Sequence, residues 1–223
     1  MTKLLEKKHP LAIRWFHWLN FPFLMVMVWS GLLIYWAYDA YGLRVGKFVI
    51  VDKFFPEWFY KDFHIESRLA EGMAWHFLFM WLFALNGLVY VAYLAFSGEW
   101  RYIVPRRESF KGAFQVVLHD LRIRKEPLRR EKFNDAQRIA YSSVVFMGLG
   151  SLVSGLAIYK PTQTAWLTGL FGGYQNARFV HFWLMMLFCA FFLVHVAQVV
   201  RAGWNNFRAM ITGYELASAE ELA

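Results

Sequence analysis

The sequence predicts an all-α integral membrane protein, a four-helix transmembrane bundle with both termini cytoplasmic. Three observations predict it. The 223 residues are 58% hydrophobic and 20% aromatic, well above an ordinary soluble domain. The apolar residues gather into four stretches of membrane-spanning length, about 11–38, 69–96, 138–159 and 176–200. The segments joining these stretches divide Lys and Arg unequally, as membrane topology does.

The first stretch, Leu11–Tyr38, is too long for a signal-peptide core and has no small-residue cleavage site, so it reads as a retained helix. Four spans put both ends of the chain on one side. That side carries four Lys and Arg in the amino-terminal tail, ten in Glu99–Asp135 and two after Val200. The other side carries seven, spread over Asp39–Arg68 and Lys160–Arg178. The positive-inside rule therefore places the termini and the long basic loop 99–135 in the cytoplasm, and accounts for the net charge of +8 better than nucleic-acid binding does.

The connections carry signals of their own. Phe110, Phe114, Val117, Leu118 and Leu121 follow helical spacing after Ser109, a candidate N-cap. This predicts an amphipathic helix, either on the inner leaflet or packed on the bundle. On the outer side Phe54–Phe63 is too aromatic for a solvated loop and belongs to the interfacial belt or to a docking surface. No internal repeat stands out, and residues 1–223 read as a single membrane domain.

The candidate site lies in the spans. His181 and His195 are fourteen residues apart on the fourth, just under four helical turns, so they share a face and lie roughly 21 Å apart. His17 is about six residues inside the first span from the cytoplasmic edge, and His195 is six before Arg201 at the same edge. His76 and His181 lie near the outer edge. The four sort by depth into His17 with His195 and His76 with His181, whereas His9, His64 and His119 fall outside the spans. Imidazole inside a bilayer needs a reason, and axial ligation of haem iron supplies one. Two bis-histidine haems, one near each membrane edge, are thus expected. With no CxxCH they are non-covalent b haems, and the single Cys189 excludes both an internal disulfide and a cysteine-ligated iron–sulfur cluster.

A histidine proton path is the competing chemistry, but the middle thirds of the spans contain no Asp or Glu to join one. Haem propionates require cations at the membrane edge. Arg14 and Arg178 each precede a ligand, His17 and His181, by three residues on the same helix face, with Arg68 and Arg201 as further candidates or as snorkelling anchors. Gly31, Gly87, Gly148, Gly150 and Gly155 allow close approach of a macrocycle or of a neighbouring helix.

RWFHWLN, the WHF of the second span and the H-x13-H of the fourth resemble the four-helix di-haem cytochrome b subunits, among them the formate dehydrogenase gamma subunit and the cytochrome b of nickel–iron hydrogenases. The chain is more similar to the thiosulfate reductase cytochrome b subunit family, through His9–Trp18, Trp75–Gly98, Ser154–Phe182 with its KPTQ and LFGGY, and the terminal RAMITGY. The resemblance implies a bacterial inner-membrane subunit that exchanges electrons between the quinone pool and a periplasmic oxidoreductase of the molybdopterin type, its quinone near the inner haem. Asn20, Gln137, Arg138 and Gln198 are polar groups near that depth, explained equally by helix-end capping. The outer surface for the partner would draw on Phe54–Arg68 and Lys160–Arg178. An autonomous superoxide:quinone oxidoreductase and a histidine-lined transporter are the alternatives.

Overall fold

The computed structural model of the chain describes residues 3–37, 43–45, 48–123 and 132–218. Tyr38, the expected end of the first span, and residues 124–131 of the basic loop lie outside them. In chain order the elements are β1 (Lys3–Lys7), α1 (Leu11–Tyr35), β2 (Leu43–Val45), β3 (Phe48–Val51), α2 (Glu57–Asp62), α3 (Leu69–Ser97), α4 (Trp100–Ile103), α5 (Ser109–Asp120), α6 (Asp135–Tyr159), α7 (Ala165–Leu170), α8 (Tyr174–Thr212) and β4 (Tyr214–Ser218).

Four of these, α1, α3, α6 and α8, are long and apolar enough to cross a membrane. They fall on the four expected spans with shifted ends: α1 stops at Tyr35, three residues short of the expected Tyr38, α3 runs one residue further to Ser97, and α8 starts two residues early at Tyr174. The third begins at Asp135, three residues earlier than Arg138, because Asn134 and Gln137 form a reciprocal capping box there. The fourth continues to Thr212, with the backbone leaving helical geometry at Gly203. That break divides α8 into an apolar segment and a terminal one. Large apolar side chains along the spans point outward, Leu88 at 68% exposure and Phe146 at 71% among them, as lipid-facing side chains do.

The chain forms two compact units. The first, His17–Asn86, holds most of α1 and α3. The two helices touch at Gly72, where a Cβ would lie 2.6 Å from that of Leu33. Tyr60 of α2 is buried in this unit, and burial, with Tyr35 beside it, pushes its hydroxyl up to about 12.

The second unit takes in the chain on either side. β1 pairs antiparallel with β4, Leu5 opposite Leu216, so the two ends of the chain meet. Lys8 locks the pairing through an ion pair with Glu215 at 2.6 Å. α6 runs along α8 over a small core of Ala157, Leu167 and Ala177. Thr168 of α7 donates to the Ala157 carbonyl at 3.0 Å. α4 is fastened to α6 by Ser142, donating to the Ile103 carbonyl at 2.8 Å.

The basic loop does contain the expected helix, α5, but Ser109 is its first residue rather than its cap. Glu108 is the N-cap, and the Ser109 hydroxyl accepts from the Arg106 amide at 3.0 Å. Phe110, Phe114, Val117 and Leu121 form an exposed apolar face, while Ser109 and Val116 are buried on the other. Asp120 at the end of α5 holds α8 from the side, accepting from Gln198 at 2.9 Å and pairing with Arg201 at 3.2 Å.

Removing the capping box at the head of α6 with Asn134→Ala should lower stability by about 1 kcal/mol. Denaturant titration of the purified protein, followed by loss of helical circular dichroism, measures it.

Candidate functional site

All four intramembrane histidines lie on membrane-length helices. His17 is the seventh residue of α1, His76 the eighth of α3, and His181 the eighth of α8. His195 follows on α8, eight residues before the break at Gly203. His9 precedes α1, His64 lies in the turn after α2 and His119 near the end of α5, so none of these three lies in a span.

His76 and His181 have the same surroundings, built independently in the two units. In the first unit, fully buried Ser30 on α1 places its Oγ 3.0 Å from His76 Nδ1. In the second, fully buried Ser154 on α6 places its Oγ 3.0 Å from His181 Nδ1. Each serine also donates to the carbonyl four residues earlier, Val26 or Gly150, at 2.7 Å. Each is followed by a glycine lying under the imidazole. A Cβ at Gly31 would meet His76 Cε1 at 3.6 Å, and one at Gly155 would meet His181 Cε1 at 3.2 Å.

This corrects the expectation of no internal repeat. SGLLIY (30–35) on α1 and SGLAIY (154–159) on α6 match at five of six positions, and each presents its Ser-Gly to a histidine on the next long helix. Carried along the helices, the same register sets Tyr141 where α1 has His17, and Tyr90 where α8 has His195. His17 and His195 sit instead beside aromatic rings: Trp18 edge-on to His17 at 5.1 Å, and Phe191 stacked on His195 at 5.7 Å.

The residues fit a haem b. Neutral imidazole is a standard axial donor, and His76 and His181 are each gripped at Nδ1 over a helix surface cleared of Cβ. His17 and His195 offer the same donor atom. Of the four cations proposed for propionates, Arg68 is held by Glu71 at 2.7 Å and Arg201 by Asp120. Arg14 donates to the Ile211 carbonyl, and Arg178 donates to Gln175 at 2.9 Å.

The four polar groups considered for a quinone all have internal partners. Gln137 belongs to the capping box, so helix-end capping does explain it. Buried Arg138 donates to the carbonyls of Arg101 and Val104 at 3.1 and 3.3 Å. Gln198 bonds to Asp120, and Asn20 accepts from Asn86 at 3.4 Å.

A family model described as prokaryotic cytochrome b561 matches residues 8–213. The chain is also 33% identical over 215 residues to the provisionally named protein-methionine-sulfoxide reductase subunit YedZ1 of Azospira oryzae, covering 96% of this chain and 100% of that one. No solved structure matches.

The unequal clearances at the two glycines give a graded expectation. Gly155→Ala, with 3.2 Å to the imidazole, should displace its ring and lower haem retention through purification by about twofold or more. Gly31→Ala, at an ordinary contact of 3.6 Å, should retain nearly all of it. The pyridine haemochrome of each variant, set against protein concentration, checks the order.

Proposed function

This chain belongs to the prokaryotic cytochrome b561 family, and from that premise we propose that it is the membrane-anchoring, di-haem subunit linking the quinone pool to a periplasmic oxidoreductase. Cytochromes of this family are membrane proteins that bind haem b and transfer electrons. The finer reading rests on one observation above the rest: four imidazoles on three membrane-length helices, with identical serine partners at His76 and His181; the sequence sorts the four into two depths. The transporter alternative has no comparable support.

Haem b, when bound, supplies a one-electron carrier. The chain's own residues do the rest. His76 and His181 would hold the outer haem, and His17 and His195 the inner one, two imidazoles to each, which would close each iron to water and small ligands. Arg14, which donates to the Ile211 carbonyl, and Arg178, which donates to Gln175, would supply the cations for propionates at the inner and outer edges. Gln198, oriented by Asp120 at the inner end of the membrane part of α8, is the polar contact best placed for a quinone head, with Asn20 as the second candidate.

Orientation follows the charge distribution. The termini, joined through β1 and β4, are cytoplasmic along with the basic loop, in the inner membrane of a bacterium. The partner then meets the periplasmic side. The relative's name, a methionine-sulfoxide reductase subunit, points to a terminal reductase, and the resemblance to thiosulfate reductase subunits implies one of the molybdopterin type. Electrons would then run from quinol to the partner.

Affinity isolation from native membranes should bring down a molybdopterin reductase, and a quinol should reduce the haems of that complex. A protein isolated alone, whose haems are reduced by superoxide and not by quinol, would favour the autonomous oxidoreductase. On the outer side Trp58 and Phe63 are 59% and 61% exposed, and Phe59 packs between them. Replacing Trp58 with Ser should weaken partner binding about tenfold or more, with haem content and quinol reduction unchanged. The dependence of haem reoxidation on partner concentration reads this out.

A further inference from the structure

We propose that Ser30 and Ser154 are positioning residues for the outer haem, each fixing its histidine as the Nδ1–H tautomer with Nε2 presented to iron. This rests on the reading of His76 and His181 as axial ligands.

The argument is one of proton accounting. A serine hydroxyl has one proton to donate, and a backbone carbonyl can only accept. At 2.7 Å from the carbonyls of Val26 and Gly150, the two hydroxyl protons are committed to the backbone. The secondary contacts, Met27 at 3.2 Å and Ser151 at 3.3 Å, are carbonyls as well. Each Oγ therefore turns a lone pair to the imidazole, and the Nδ1 atoms 3.0 Å away must donate. A neutral imidazole has one N–H, so Nε2 is the unprotonated nitrogen, with the donor lone pair, on both rings.

The glycines complete the arrangement, letting each ring settle on the helix that carries its serine. A hydrogen bond at the distal nitrogen of a ligating histidine orients the ring and makes it a stronger donor. A stronger donor favours ferric over ferrous iron. The serine pair thereby lowers the potential of the outer haem, whereas the neighbours of His17 and His195 include the aromatic rings of Trp18 and Phe191.

The test is a redox titration of the intact haem-loaded protein, with the low-spin electron paramagnetic resonance signals recorded alongside. Ser30→Ala and Ser154→Ala should each retain haem and raise the reduced-to-oxidised ratio of one haem about tenfold at fixed poise, ~59 mV for a one-electron couple. The signal of that haem should move and the other should not. Ser30→Thr and Ser154→Thr, which keep the hydroxyl, should remain at the native values. If both alanine variants shift the same haem, the proposal and the pairing of His76 with His181 stand together. If each shifts a different haem, the serine effect stands and the pairing falls. Full haem content with both potentials and both signals unchanged overturns the proposal and leaves haem binding intact. Should an alanine variant bind no haem, its threonine counterpart decides: haem recovered at the native potential supports the proposal, and failure to recover it overturns it.

Discussion

An imidazole inside a hydrocarbon layer has two ring nitrogens to satisfy and no water to satisfy them. The rest of this structure is arranged around that constraint. At His76 and His181 one nitrogen is met by a serine whose own proton is already spent on its helix backbone, which leaves the other for a metal. The serine causes no helix break, because its hydroxyl bonds to the i−4 carbonyl of an intact ladder. The glycine beside it lets the ring lie against the backbone. Two helix pairs solve the problem with the same three residue types, which makes the solution a property of the repeat and not of one position.

At the membrane edges the chain uses charge in a different way. Asp120 takes both Gln198 and Arg201, tying the surface helix α5 to the inner end of α8's apolar part. Glu71 takes Arg68, whose guanidinium also lies over Trp29 at 5.4 Å. Arg138 is buried against backbone carbonyls and holds α4 in place. These cations are structural. Arg14 donates to the Ile211 carbonyl and Arg178 to Gln175, and each precedes a span histidine by three residues. The exposed apolar face of α5, beside basic neighbours, has the character of a helix resting on an anionic lipid surface.

Much of this was legible in the sequence because hydropathy and charge are strong signals in membrane proteins. The spans emerged within a few residues, since the bilayer demands long apolar helices. The four histidines stood out because polar groups are rare at such depth. What escaped notice was local and weakly marked. Ser30 and Ser154 look like ordinary helix residues, and the repeat is confined to SGLLIY and SGLAIY, with the histidines at unequal distances along the chain. Strands β1 and β4 are five residues each and lie at opposite ends of the sequence, so no local pattern announces their pairing. Ser109 has the residue type that favours a cap, but the helix starts a residue earlier, at Ser109 itself, and the hydroxyl accepts from the Arg106 amide. Gln137 had a capping role visible in Asn-x-x-Gln, a short signal that competed with a ligand reading.

The central claim is that the four intramembrane histidines hold two haems with both axial positions filled. The direct measurement is the haem-to-protein ratio of the purified chain together with its low-temperature electron paramagnetic resonance spectrum. The account predicts two haems per chain and two low-spin ferric signals with no high-spin component. One haem per chain, or a high-spin signal from intact protein, would contradict it.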